Sequence, residues 1–456
     1  MRTNKLTSRA MRHIFIASIF MLSVLLGFIT IFESGSLLIA SNSGELRSDV
    51  KKNIKEADII SLTQQLVRIR SDYDEGVLAN HKEMAKFLGD YLRKLGMEVQ
   101  IIEPEPNYPT VIGRLKGTTG NPKLGLLGHY NTVMVGDRSK WTVDPFGGEY
   151  RDGRIYGLGA ADQKMAIAAS LIAAKAVIDV GIKLKGDLVL LYIPGEGAQV
   201  HSLPYISKNQ PELLKADWFL DTEGGASILK MATGWTWVKV RVTGVTGHTG
   251  GGRGDGKPGR PVNAIYKLAK VLTEIEKIDN WMTYKKHPLF PRPLYAGKPI
   301  VEVGKIEGGY KVNQVPDWAD AQVDIRFLPG QSPDGVLTEM RALFDRLKKE
   351  DPQLNVTVEP MTTQWVPVKY WEKLNDNDQF IKTIREIAPA YIGRVPEWTG
   401  GSGGGRPDIW ETGAIYVSFG ISGGGGNGHS PNEYANPEAG VKRAYLYAEL
   451  LLRMLE

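Results

Sequence analysis

Two unbroken apolar runs constrain this chain more than any other feature. Lys123 to Leu127 leads into Gly128-His129, and Asp187-Leu188-Val189-Leu190-Leu191-Tyr192-Ile193 runs on without a polar break after its first residue. A short continuous apolar run bounded by turn residues is a strand buried on both faces. Between the two lies Ala160 to Ile178, an Ala-rich segment that reads as one long helix with Asp162 at its start. Ala57 to Arg70 and Lys82 to Leu95 read as amphipathic helices, and Val99 to Ile102 and Thr110 to Arg114 as short strands. Strands separated by helices of this size predict an α/β sheet with a parallel component.

A different rhythm starts near Trp235. Trp235 to Val242 alternates like a half-exposed strand, and Val262 to Ile275 reads as a helix. Strands at Ile300 to Lys305 and Ala319 to Phe327, a helix at Asp334 to Lys349 and a strand at Leu354 to Glu359 follow. The order β-α-β-β-α-β is that of a split-βαβ module. Beyond it come a helix (Asp378 to Ile387), a strand (Ala414 to Gly420) and a closing helix (Pro437 to Leu455). The pattern predicts a small module inserted into a larger catalytic domain. An N-terminal segment takes up 1–43, the catalytic domain begins at 44–234, the insert occupies 235–362, and the catalytic domain resumes at 363–456. The glycine-rich stretches Gly247–Gly259 and Gly400–Gly428 read either as flexible loops or as backbone packed close to a ligand. Neither has the Gly-Lys-Ser/Thr ending of a phosphate loop.

The N-terminal segment has a character of its own. Arg2, Lys5, Arg9 and Arg12 precede Ile14 to Phe32, a run of 19 residues without charge. That length suits a membrane anchor or a long signal-peptide core, and the basic flank favours an inside N-terminus. The expected location is therefore outside the cytoplasm, periplasmic or extracellular, with the chain either anchored or released by cleavage. The net charge of +5 comes mostly from those four residues, since the other basic residues nearly balance the 51 acidic ones. A near-neutral body gives no electrostatic reason to expect nucleic acid.

The chain has no cysteine. That excludes a disulfide framework, a thiolate metal site and a cysteine nucleophile. A metal would have to be held by His, Asp and Glu. Such residues stand where ligands stand in α/β sheets, at the carboxyl ends of strands. His129 follows Leu124–Gly128, Glu196 follows Ile193-Pro194-Gly195, and Glu223 follows Trp218–Thr222. His429 follows the Tyr416–Gly420 strand. Singly, an acid at a helix start is most simply a cap and a loop histidine a surface residue. Their joint occurrence points to a metal site.

Longer motifs carry a resemblance. They are Gly128-His129-Tyr130-Asn131-Thr132-Val133, Trp141-x-x-Asp144-Pro145-Phe146, and Asp152-Gly153-Arg154-Ile155-Tyr156-Gly157-Leu158-Gly159-Ala160-Ala161-Asp162-Gln163-Lys164. Downstream stand Gly244-x-x-Gly247-His248, Asn313-x-x-Pro316, Asp324-Ile325-Arg326 and Gly428-His429-Ser430-x-Asn432-Glu433. In this order the set resembles the co-catalytic zinc peptidases and amidohydrolases, the family of aminoacylase-1, carboxypeptidase G, succinyl-diaminopimelate desuccinylase, acetylornithine deacetylase and carnosinase. The resemblance spans about residues 55–455. It implies a phosphorylase/hydrolase-like catalytic domain with a mixed sheet, and a ferredoxin-like insert that acts as a lid and often as a dimer interface. Asp162 would bridge two metals, His129 and Glu223 would complete the first site, and His429 would serve the second. Glu196 would be the general base and His248 the lid histidine that stabilises the developing oxyanion. Asn313 and Arg326 would hold a substrate carboxylate, although Arg326 could equally pair with Asp324. Arg406, beyond the Gly400–Gly405 run, joins them as a candidate substrate-binding residue.

Two departures stand out. The second acid of the family's acidic pair, a ligand of the second metal, is Gly197 here. The aspartate that orients the first histidine is Asn131, which can accept through its amide oxygen without the charge. The expectation is one firmly held divalent ion, Zn or Mn, and a second site that is weak or empty. The implied activity is hydrolysis of a C–N bond, the amide of a small peptide or N-acyl amino acid. Two alternatives stay open: a mononuclear aminohydrolase acting on an aryl amine or amidine, and a non-catalytic binding protein on the same fold.

Overall fold

In the computed structural model, residues 46–72, 81–195, 202–251, 260–287, 289, 297–361, 374–401, 409, 411–422 and 424–456 are described. The chain divides after Leu46, and residues 47–456 form one compact unit. The apolar N-terminal run lies outside the described residues. Among the described residues, no helix is long and apolar enough to cross a membrane.

The first half of the chain supplies β1 (Glu98–Ile102), β2 (Thr110–Leu115), β3 (Lys123–His129), β4 (Asp187–Ile193) and β5 (Trp218–Asp221). It then builds a second sheet from β6 (Gly234–Thr243), β7 (Ile300–Gly308), β8 (Trp318–Phe327) and β9 (Asn355–Pro360), and returns to the first as β10 (Ile415–Ser418). The helices that frame these sheets are α1 (Glu56–Arg68), α2 (His81–Lys94), α3 (Met165–Asp179), α4 (Ala264–Ile275), α5 (Pro333–Glu350) and α6 (Pro437–Leu455).

The main sheet has the order β1-β2-β4-β3-β5-β10. Strands β4, β3, β5 and β10 run parallel, and β2 is antiparallel to both of its neighbours. The sheet has the parallel component that the apolar runs predict and is mixed, as the family resemblance implies. β4 is buried along its whole length, and β3 in all but its first residue. On one face α3 packs against β3, α1 and α6. Helix Ser202–Asn209, with Leu203 and Ile206, helps cover the other. Alanine along α3 lets these layers approach closely, and Met165–Ala174 is buried without a break.

The second sheet has the order β7-β8-β6-β9 and is antiparallel throughout. Its strands alternate: Val238, Val240 and Val242 face α4 and α5 and are buried with Leu268, Val271, Met340 and Phe344. Full burial of side chains this size contributes roughly 1.5–3 kcal/mol each. The helices start on polar caps. Asn263 accepts from the Tyr266 N–H at 3.1 Å and Ser332 from the Gly335 N–H at 3.1 Å. The element order β-α-β-β-α-β is the one read from the sequence.

Candidate metal centre

His129 ends β3, and its ring is buried. Its Nδ1 lies 3.1 Å from the main-chain carbonyl oxygen of Asn131. A carbonyl only accepts, so Nδ1 carries a proton in either charge state of the ring. The expected partner was the Asn131 amide. The backbone serves instead, because the chain turns straight after β3 and brings that carbonyl under the ring. Nε2 faces Asp162 Oδ1 at 3.1 Å and Glu223 Oε2 at 3.9 Å. One ligand atom each from His129, Asp162 and Glu223 lies within 4.8 Å of the others. Nε2 either carries a proton toward these carboxylates or offers its lone pair to a cation among them. One imidazole nitrogen and two carboxylates fit a divalent ion.

Asp162 does not open the long helix. Regular helix starts at Met165, and Ala160–Lys164 is an irregular turn in which Asp162 has φ −124° and ψ 89°. Gly159 starts that turn at φ +77°, and a Cβ there would stand 2.2 Å from Thr132 Cγ2. The carboxylate is thus aimed at the histidines and makes no cap. Burial alone would raise the Asp162 carboxyl, but His129 and His429 more than reverse this and hold it well below the usual carboxylate range.

The turn is held by a residue to which the sequence reading gave no role. Buried Glu433 accepts three backbone N–H groups: Gly159 on Oε2, and Ala161 and Asp162 on Oε1, each at 3.0 Å. Burial pushes its carboxyl up to about 7. Glu433 was legible as a member of the Gly-His-Ser motif, but backbone partners leave no trace in a sequence. Next to the turn, Lys164 is buried and donates to the Ile69 carbonyl at 3.1 Å.

His429 Nε2 lies 3.1 Å from Asp162 Oδ2, so Asp162 presents one oxygen to each histidine. His429 sits between strands Gly425–Gly426 and Tyr434–Ala435, which pair with each other, the second also with Arg154–Tyr156. Residues Asn427, His429 and Asn432 adopt positive φ. Asn432 anchors the loop by accepting from the Thr142 N–H at 2.7 Å and its hydroxyl at 3.0 Å. Beside His429 opens a cavity of about 140 Å³ lined by Met134, Val135, Trp141, Leu158 and Pro431 among others.

The remaining expected residues are spread out. Glu196, its neighbour Gly197, and Arg406 lie outside the described residues. His248 is exposed on the short strand Gly247–His248, which pairs with Gln314–Val315. Its Nδ1 accepts from the Gly250 N–H at 3.1 Å. Asn313 is adjacent, its carbonyl accepting from the Thr249 N–H at 3.2 Å. Arg326 stands near the far end of β8, more than 20 Å along the strand at ~3.3 Å per residue. Its Nε donates to Asp324 at 2.8 Å, and its guanidinium lies over Trp235. Within one chain Asn313 and Arg326 therefore do not converge on one carboxylate, because a straight strand separates them.

The family model described as Peptidase family M20/M25/M40 matches residues 125–453. The chain belongs to this family. Among its curated relatives, a protein of Bacillus subtilis (strain 168) named N-formyl-4-amino-5-aminomethyl-2-methylpyrimidine deformylase is 26% identical over 66% of this chain and 71% of its own. An acetylornithine deacetylase of Vibrio campbellii is 29% identical over 61% of this chain and 69% of its own. The fold is shared with human carnosine dipeptidase 1, at TM-score 0.73 and 17% identity over 90% of this chain and 99% of that one. It is also shared with a metallo-carboxypeptidase of the family from Sulfolobus solfataricus, at TM-score 0.67 and 22% identity over 87% and 98%. As an M20/M25/M40 member the protein is a metallohydrolase of C–N bonds, and a divalent metal is its cofactor.

Proposed function

We propose that the enzyme removes a small acyl group from an amine nitrogen, in a substrate that also bears a carboxylate. The observation that carries this reading is the convergence of His129, Asp162 and Glu223 within 4.8 Å. Relatives named deformylase, deacetylase and desuccinylase support the acyl portion of it. The cavity of about 140 Å³ beside His429, lined by Asp137, Lys140 and Ser430 as well as by apolar residues, has room for a small acyl group.

A bound divalent ion would lower the pKa of a water and polarise the scissile carbonyl. Glu196 takes the water's proton and passes it to the leaving nitrogen. His248 stabilises the developing oxyanion once the second sheet closes over the site. Arg326, Asn313 and Arg406 are the residues proposed to hold the substrate carboxylate, with Asn313 and Arg326 drawn from different copies of the chain. That arrangement accords with a homodimer through the second sheet, where Ile306, Tyr310 and Val312 are exposed apolar residues. One ion, Zn or Mn, would be held by His129, Asp162 and Glu223. The second site, with His429 and the shared Asp162 but glycine at 197, is weak. The basic, apolar N-terminal segment supports an exported enzyme.

Elemental analysis of purified protein should give about one Zn or Mn per chain. Glu196→Ala should retain that metal and lose turnover. A panel of N-formyl, N-acetyl and N-succinyl amino acids, dipeptides and aryl amines should show turnover confined to acyl amides. Turnover of aryl amines alone would overturn the reading, as would a metal-free protein that takes up neither ion. Sedimentation velocity showing only monomer would sink the dimer.

A further inference from the structure

The charge of Arg443 is buried, and among the described residues no carboxylate pairs with it. The residue lies on α6 and is 8% exposed. Among the described residues no ion pair includes its guanidinium. Instead Nη1 donates to the Thr222 carbonyl at 2.6 Å and Nη2 to the Ile421 carbonyl at 2.9 Å. Leaving a cation without a counter-ion inside a protein is costly unless its donors are satisfied by other groups; the two terminal nitrogens are so satisfied, while Nε is buried without a hydrogen-bond partner among the described residues.

Those two carbonyls belong to the two arms of the metal centre. Thr222 precedes Glu223, just past the end of β5. Ile421 lies just past the end of β10, on the stretch of chain that leads to His429. The arms touch through backbone: Gly420 N–H donates to the Gly225 carbonyl at 2.9 Å. A Cβ on Gly224 would stand 2.2 Å from Phe419 N, and one on Gly420 would stand 2.4 Å from the Gly224 oxygen. Past a strand end the sheet no longer supplies partners for carbonyls, and each still needs a donor. The Glu223 N–H on the far side of the same peptide is held by Asp221 Oδ1 at 3.0 Å. The peptide before Glu223 is therefore gripped at its oxygen by Arg443 and at its nitrogen by Asp221.

We propose that Arg443 is a positioning residue of the metal centre: its guanidinium fixes the Thr222–Glu223 peptide against the Ile421 segment and so sets the aim of the Glu223 carboxylate. It touches neither substrate nor metal. The inference rests on the metal-site reading above. A planar fork with donors in fixed directions suits two carbonyls better than the single ammonium of lysine.

The test is the zinc dissociation constant of the metal-free full chain, measured by competition with a chromophoric chelator. Arg443→Met should weaken zinc binding about 10–100-fold, the loss typical when support behind a ligand is removed. Arg443→Lys should lose less. Leu451→Ala, on the same helix, should lower the melting temperature without moving the zinc constant more than about twofold. Folded Arg443→Met with wild-type zinc affinity would overturn the proposal. If that variant does not fold, Arg443→Lys decides: affinity within twofold of wild type overturns it. A Leu451→Ala variant that loses as much affinity would show the effect to be general loosening, and would also overturn it. Wild-type protein that binds no zinc would instead remove the metal-site reading beneath, an outcome the first titration separates from the others.

Discussion

At the scale of single residues, position 131 meets the metal-binding histidine through its main-chain carbonyl. Replacing an orienting aspartate by asparagine removes a charge from behind a metal-binding histidine, and such changes typically cost 10–100-fold in affinity. Here the His129 Nδ1 proton goes to the main-chain carbonyl of residue 131. Any side chain at 131 leaves that carbonyl in place. Asn131→Ala should therefore shift metal affinity by less than about threefold, read by chelator competition; a loss of 10-fold or more would contradict the geometry. His81 offers a second single-residue prediction. Its ring nitrogens lie 2.8 Å and 3.2 Å from the carbonyls of Asn107 and Ser71. Burial outweighs those acceptors and lowers its pKa below the ordinary 6.5. The unfolded chain then takes up a proton below pH 6.5 that the folded ring resists. Stability should fall with acidification from 6.5 downward, by at most about 1.4 kcal/mol per pH unit. Denaturant midpoints across pH 5–7 should show that slope in the wild type and a shallower one in His81→Gln.

At the scale of elements, the turn before α3 is the portion of the site that composition concealed. Ala160 and Ala161 share the helix-forming character of the residues after Met165, so the segment reads as one helix. Regular helix would have turned the Asp162 carboxylate along the helix surface. Glu433 pulls the turn off that course by binding the N–H groups of Gly159, Ala161 and Asp162. Glu433→Ala should leave buried amides without acceptors and cost about 2–4 kcal/mol in denaturant unfolding. Glu433→Gln, which keeps one acceptor oxygen, should cost less. Equal losses in the two variants would show that both carboxylate oxygens are needed, and wild-type stability in Glu433→Ala would contradict the geometry. The parallel pairing of Ile228–Ala232 with Trp398–Gly401 is illegible in the sequence for a related reason. A strand ending in glycines carries no side-chain alternation, and its partner lies far off in sequence.

At the scale of the whole molecule, the parallel part of the sheet and the inserted β-α-β-β-α-β order were legible because they depend on apolar periodicity. The ligand positions at the ends of β3 and β5 were legible because open α/β sheets bind there. Asp162 and His429 were legible as residues, but what aims them was not, since the Asn131 carbonyl and the N–H groups that Glu433 binds are peptide groups common to every residue. A molecule whose three ligands come from separate elements should gain global stability when an ion joins them. At 100 times its dissociation constant, zinc should add about 2.7 kcal/mol, and so raise the melting temperature of the metal-stripped chain by several degrees. An unchanged melting curve at saturating zinc would contradict this. The span of the site along the chain has one more effect. His429 meets Asp162 across 267 residues, and Glu433 and Arg443 come later still. During synthesis the earlier ligands emerge long before the segments that aim them, with the whole second sheet still to be made. The centre therefore comes into being only as the last strand and helix dock.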